Sequence, residues 1–197
     1  MTAHLASLGH QVTLLDVSKE SIAVARQHIS EPSVTYQHGE IHEVQKQFDV
    51  VVCHAVLEWL VDPHSAIIHL FDRVEDGGIL SLSFFNKDAA VYNNLLYGNF
   101  DYVRSGLKRK NTVRLNPNYP LSPQTVIDWV SALPGQLEHV AGIRCIHDYM
   151  QKDHAKITYE ELVEMELQYG VIEPYQWLGK YFHIIIRKNR GKRLLTR

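Results

Sequence analysis

Three features of this 197-residue chain place polar groups where they could do chemistry. Asp16 closes the apolar run Gln11–Asp16 (QVTLLD). An acid at the end of a buried strand can accept two hydrogen bonds from a ribose diol, each worth about 1.5–3 kcal/mol. It can equally be an ordinary helix cap or loop acid. His38-Gly39-Glu40-Ile41-His42 follows the next short apolar run. In a nucleotide-binding fold Ile41 could cover a face of the adenine while a backbone N–H reads its edge; otherwise the segment is a plain surface turn. His54 ends the strongest strand pattern and opens His54-Ala55-Val56-Leu57-Glu58-Trp59. A polar group beside a Trp there suits contact with a cofactor, although a lone His after an apolar strand is more often structural. In open α/β sheets ligands bind beyond the carboxyl ends of strands, and all three features occupy such ends.

The elements that must position these residues alternate along the chain, which predicts an α/β fold with a mainly parallel sheet. Strands are expected over Gln11–Asp16, Val34–His38, Phe48–His54 (FDVVVCH), Ile79–Phe85, Leu137–His147 and Tyr181–Lys188 (YFHIIIRK). Met1–Leu8 reads as a helix, and Ser18 caps another running to about Ile29, with Ile22, Ala25 and Ile29 on one face. Asp62–Pro63 starts a third, whose apolar face takes in Ala66, Ile67, Leu70, Phe71 and Val74. Gly77–Gly78 is expected to turn the chain into the following strand. Helices are also expected over Ala89–Tyr97, from Ser122–Pro123 to about Leu133, and from the capping box Thr158-x-x-Glu161 to Tyr169. Residues 99–121 show no sustained period. A polar stretch of that length inside a compact domain is usually a functional insertion or lid.

Composition sets the outer bounds. With 45% hydrophobic residues the chain can bury one sizeable core, so a single domain over residues 1–197 is expected. Cys53 and Cys145 lie far apart in apolar surroundings and read as small core residues in a reducing compartment, not as a disulfide or metal framework. No run reaches the length of a membrane span and no signal-peptide pattern opens the chain, so a cytoplasmic location is expected. Net charge is close to neutral, but 11 of the 20 Lys and Arg residues fall in Arg104–Arg114 and Arg187–Arg197, and no acid lies between Asp101 and Asp128.

Asp16, the His54–Trp59 segment, Asp62–Pro63, the Gly77–Gly78 turn and the closing strand together resemble a class I, Rossmann-like methyltransferase dependent on S-adenosylmethionine. The segments CHAVLEWLVDPHSAI, YGNFDYVRSGLKRK, LNPNYPLSPQTVIDWV, GIRCIHDYM and EPYQWLGKYFHIIIRK sharpen the likeness. They are similar to the CmoM (SmtA) family, bacterial enzymes that methylate the carboxylate of 5-carboxymethoxyuridine at the tRNA wobble position. The resemblance implies that Asp16 binds the cofactor ribose, that Ile41 and His42 line the adenine, and that His54 contacts the amino-acid end of the cofactor.

A carboxylate nucleophile is already ionised at neutral pH, so such a reaction needs positioning rather than a general base. Arg144 in Gly142-Ile143-Arg144-Cys145-Ile146-His147-Asp148-Tyr149 is the leading residue to hold it, because a guanidinium fork matches a carboxylate. Tyr149 is a second possible donor. The alternative is an Arg on the strand's solvent face, paired with Asp148. Arg104, Lys108, Arg109, Lys110 and Arg114, interleaved with Tyr102 and Tyr119, form the mixture of cations and aromatics expected where the anticodon loop of a tRNA is gripped.

The family's fold begins with a strand and a glycine-rich loop against the methionine moiety, and this sequence shows neither. Its usual strand order, 3-2-1-4-5-7-6, would then lack its central first strand. Either the gap closes by direct pairing or the residue 11–38 half is loosely held, with weak cofactor binding in both cases. A non-catalytic remnant that binds RNA or nothing, and a methyltransferase for a small molecule, are the alternatives to a tRNA methyltransferase.

Overall fold

The computed structural model describes residues 1–108, 120–150 and 157–191. They form two compact units, Met1–Lys46 and Gln47–Arg197.

In the first unit α1 (Thr2–Ser7) leads into β1 (Val12–Asp16), α2 (Lys19–His28) and β2 (Val34–His38). Strands β1 and β2 pair in parallel, with Asp16 opposite His38. Ser18 caps α2 as expected: its hydroxyl accepts from the Ser21 N–H at 3.0 Å. Only Ala6 and Ile22 are buried in this unit, and every residue of β1 is half-buried.

The second unit is built on a four-stranded sheet in the order β3-β4-β6-β5: β3 (Phe48–His54), β4 (Val74–Phe85), β5 (Gly135–Ile143) and β6 (Tyr181–Lys188). The β3–β4 pair is parallel, and β6 runs antiparallel to both β4 and β5. This is the 4-5-7-6 portion of the expected order, and β1–β2 is the 2-3 portion.

Strand alternation divides the sheet into two faces. Leu80, Leu82 and Phe84 of β4 and Phe182, Ile184 and Ile186 of β6 are at most 1% exposed. They pack with α3 (Pro63–Asp72) and α6 (Pro123–Ser131), which bury Ala66, Ile67, Leu70, Phe71, Val126 and Val130. Each such side chain contributes about 1.5–3 kcal/mol by leaving water. The opposite face carries His54, Ser81, Ser83 and His183 among apolar residues such as Val52 and Ile185. Helices α4 (Lys87–Leu96), α5 (Phe100–Arg104) and α7 (Tyr159–Tyr169) complete the unit.

Four expectations need correction. Val74 lies in β4, opposite Phe48, rather than on the helix face. Gly77–Gly78 is not a turn before a strand but part of β4, where a register shift opposite Phe48–Val50 absorbs it. The stretch 99–121 is not wholly irregular, because Phe100–Arg104 forms one helical turn. Strand β5 ends at Ile143 instead of His147, so Cys145 lies beyond it, although buried.

Among the described residues no helix is long and apolar enough to cross a membrane, and no group of three or more His, Cys, Asp or Glu residues could hold a metal ion.

Candidate functional site

The parallel pairing in the first unit carries the 38–42 loop to Asp16. The Gly39 N–H donates to the Asp16 carbonyl at 3.1 Å, and a His38 ring nitrogen lies 3.2 Å from the Val17 carbonyl oxygen. The Asp16 carboxylate accepts the Ser18 N–H on Oδ1 at 2.8 Å, which fixes its plane. Its Oδ2 has no partner among the described residues. Ile41 opens a 3₁₀ turn, Ile41–Glu43, closed by a capping box between Glu40 and Glu43. A Cβ at Gly39 would fall 2.2 Å from Glu43 Oε2, so a side chain there would displace that folded-back carboxylate. Ile41 is half-buried and His42 exposed. The sequence-predicted Asp16, Ile41 and His42 are thus brought together.

In the second unit, Arg144 follows β5 with φ of 63°, a left-handed conformation that non-glycine residues rarely adopt. What holds it there comes from far along the chain. Glu166 on α7 accepts three successive N–H groups: Cys145 at 2.6 Å, Ile146 at 3.2 Å and His147 at 2.8 Å. Beneath them a Cβ at Gly142 would lie 2.2 Å from the Gln176 carbonyl oxygen, and one at Gly179 would lie 2.5 Å from the Gly142 Cα. The loop therefore rests on bare backbone.

The Arg144 guanidinium pairs through Nη2 with Asp148 Oδ1 and lies 3.2 Å from His147 Nδ1. This is the alternative pairing foreseen for it. Even so, its side chain is 41% exposed, and its other nitrogens have no partner among the described residues. Asp148 is only 18% exposed, and Lys180 Nζ stands 3.9 Å from its second oxygen. The result is a carboxylate flanked by two cations, one still offering donors outward. Tyr149 sits differently from the expectation. Its hydroxyl donates to the Leu178 carbonyl at 2.8 Å, and its ring meets Tyr92 edge-on at 5.4 Å. Burial, with Asp148 nearby, pushes its pKa up, so the phenol stays neutral. A phenol has one proton, so a second-donor role requires that bond to break.

Asn86, absent from the sequence reading, ties this end of the unit together. Fully buried, it caps α4 by accepting from Asp88 N–H at 2.9 Å and donates to the carbonyls of Trp177 at 2.8 Å and Gly179 at 2.9 Å. Glu166 and Lys180 were missed as well. A backbone-clasping acid and a strand-entry Lys carry no local pattern that would mark them.

His54, at the end of β3, precedes Ala55, another residue at positive φ (56°). Its Nε2 lies 2.8 Å from Ser81 Oγ, and Ser81 Oγ lies 2.9 Å from His183 Nε2. Glu58, four residues on, is 1% exposed, and burial raises its pKa. Burial likewise pushes the thiols up, Cys53 to about 12 and Cys145 to about 11, with Glu58 and Glu166 respectively adding to it.

Of the expected RNA contacts, Arg104 pairs with Asp101 at 2.8 Å on an open surface, and Lys108 is exposed. So exposed an ion pair leaves Arg104 nearly free to exchange partners. Arg109, Lys110 and Arg114 lie outside the described residues.

Residues 1–82 match the family model described as "Methyltransferase domain". The tRNA 5-carboxymethoxyuridine methyltransferase of Escherichia coli (strain K12) is 36% identical over 197 aligned residues, covering 95% of this chain and 76% of that protein. A ubiquinone biosynthesis O-methyltransferase of Glaesserella parasuis serovar 5 is 26% identical, over 72% of this chain and 63% of its own length. In fold, the chain is similar to magnesium protoporphyrin IX methyltransferase from Synechocystis PCC 6803, solved with bound SAH, with a TM-score of 0.61 at 14% identity; the match covers 95% of this chain and 68% of that one. The core is Rossmann-like, the chain is a methyltransferase dependent on S-adenosylmethionine, and it belongs to the tRNA 5-carboxymethoxyuridine methyltransferase family.

Proposed function

We propose that the chain transfers a methyl group from S-adenosylmethionine to the carboxylate of 5-carboxymethoxyuridine at the wobble position of tRNA. The observation that carries this reading is the 36% identity, which runs along 95% of the chain and thus through the Arg144 loop as well as the cofactor-binding half.

The residues present fit the nucleoside end of the cofactor. Asp16 has one oxygen fixed by the Ser18 N–H and one available for a ribose hydroxyl. Ile41 offers an apolar surface for the adenine, with His42 beside it, and His54 takes the amino-acid end. S-adenosylmethionine supplies a methyl group on a sulfonium, ready for in-line attack. We take both units as parts of one methyltransferase domain, since the family match at residues 1–82 runs across their boundary.

Arg144 holds the substrate carboxylate in the attacking direction through its outward donors, and Asp148 keeps the guanidinium from swinging away. Neither donates or removes a proton, because the nucleophile is ionised at neutral pH. Tyr149, bonded to the Leu178 carbonyl, braces the loop from behind. Arg104, Lys108, Arg109, Lys110 and Arg114 grip anticodon-loop phosphates. Changing Lys108, Arg109 and Lys110 together to Ala then weakens tRNA binding and flattens its dependence on salt.

The test is methyl transfer to tRNA carrying 5-carboxymethoxyuridine against tRNA lacking the modification, with wild type and Arg144→Ala. Transfer confined to the modified tRNA, and cut in the variant by about ten- to a hundredfold in kcat/KM, is the expected result. Equal transfer to both tRNAs refutes the substrate, and an unaffected variant refutes the role of Arg144.

A further inference from the structure

The face of the four-stranded sheet opposite α3 and α6 carries an arrangement of which the methyl-transfer reading uses only His54. His54 on β3, Ser81 on β4 and His183 on β6 form a continuous line across three neighbouring strands. Its links are 2.8 Å from His54 Nε2 to Ser81 Oγ and 2.9 Å from there to His183 Nε2. The rings also meet edge-on, with centroids 5.3 Å apart. Register explains the alignment. His54 stands opposite Ser83 and Ser83 opposite His183, so the two imidazoles flank β4 and lean back over Ser81, one pleat earlier.

A serine hydroxyl carries one proton and two lone pairs. Ser81 Oγ has no third partner among the described residues, so that proton goes to one of the two rings. The ring that receives it has a bare Nε2. The other ring supplies its own Nε2–H to the oxygen. Neutral imidazoles of opposite tautomer satisfy both contacts and the hydroxyl proton together; two Nε2–H rings would also bond to the oxygen but would leave that proton without an acceptor among the described residues. Burial favours neutrality: it lowers the pKa of His54, and it lowers that of His183 to about 4, with His54 and the neighbouring His139 adding to the effect.

We infer that Ser81 and His183 are positioning residues for His54: through the single Ser81 proton they hold the two imidazoles in opposite tautomers, so that His54 cannot change tautomer without His183. This rests on the reading of His54 as a contact for the amino-acid end of the cofactor. That end carries both a carboxylate and an ammonium. A ring free to change tautomer would present the wrong hydrogen-bonding character part of the time, whereas a locked ring is preorganised.

Long-range proton–nitrogen correlation spectra of the imidazoles in the 197-residue protein test the lock directly, without ligand. The expected spectrum shows one of His54 and His183 protonated on Nδ1 and the other on Nε2. In Ser81→Ala, His54 becomes a tautomer mixture, and in Ser81→Thr, which keeps the hydroxyl, the single tautomer returns. Two Nε2–H rings in the wild type, or an unchanged His54 tautomer in Ser81→Ala, overturns the proposal. Calorimetric titration with S-adenosylhomocysteine separates it from the underlying reading. Ser81→Ala and His54→Ala are both expected to weaken binding about tenfold. If His54→Ala binds as the wild type does, the cofactor role of His54 fails; if only Ser81→Ala does, the relay has no bearing on binding and the positioning role fails.

Discussion

In Met1–Lys46 Asp16, the acid proposed for the cofactor ribose, is held by its own neighbours. Asp16 takes the Ser18 N–H two residues away, and beyond that the unit has only Ala6 and Ile22 for a core. In Gln47–Arg197 Arg144, the cation proposed for the substrate carboxylate, is held from a distance. Arg144 follows a strand whose continuation is clasped by Glu166, seated on Gly142 and Gly179, and backed by Asn86. The first depends on sequence-local geometry and on the pairing of β1 with β2. The second exists only when the sheet, α7 and the strand-entry segment at 175–180 are all folded. Local geometry around Asp16 and long-range geometry around Arg144 imply different stabilities for the two.

The largest test of this contrast is in the core. Phe182→Ala removes a fully buried ring from the four-stranded sheet and should cost about 3–5 kcal/mol. All three tryptophans, Trp59, Trp129 and Trp177, lie in the second unit, so denaturant unfolding followed by their fluorescence reports on it alone. Leu14→Ala in half-buried β1 should leave that transition in place while lowering protease resistance of the first unit. An equal shift from both variants would dissolve the contrast.

Next in size is Asn86→Ala. It strips a helix cap and leaves the carbonyls of Trp177 and Gly179 without their donor, a loss of about 2–4 kcal/mol in the same measurement. Glu166→Ala is smaller in stability but sharper in function. With the clasp gone, kcat/KM on modified tRNA falls about tenfold, carried by KM. Glu166→Gln keeps an acceptor for two of the three N–H groups and should lie between, with cofactor affinity unchanged in both.

The smallest effect is acid sensitivity. His183 is neutral when folded, with its pKa lowered to about 4, and takes up a proton near 6.5 when unfolded. Between pH 6.5 and 4 the unfolded state therefore binds more protons, so stability falls as pH drops and levels off below 4. His183→Asn should make the unfolding midpoint of the second unit flatter over that window, and an identical slope refutes the assignment.

Much of the fold was legible because strands here announce themselves. The runs of β3 and β6 are apolar and bounded by polar residues, and both were read to the residue. The end of β5 was not. Ile143-Arg144-Cys145-Ile146 continues a strand-like pattern, and the break comes from Glu166, about twenty residues on, capturing N–H groups that a ladder would otherwise use. Helix α5, with only five residues, is too short to show a period. At the site, a search of strand ends finds Asp16, His54 and the 38–42 loop. It cannot find Ser81 or His183, whose contact depends on strands about a hundred residues apart in sequence becoming neighbours; Asn86 stands just past the end of β4, but its partners, Trp177 and Gly179, lie about ninety residues on.

The two buried thiols have a practical consequence. Cys53 lies in β3 and Cys145 in the Arg144 loop, and with pKa values of about 12 and 11 almost none of either is thiolate at neutral pH. A thiol-reactive dye can label each only when its surroundings open. Their labelling rates are therefore two native clocks, one timing the sheet and the other the loop that holds Arg144, in a protein that needs no engineered probe.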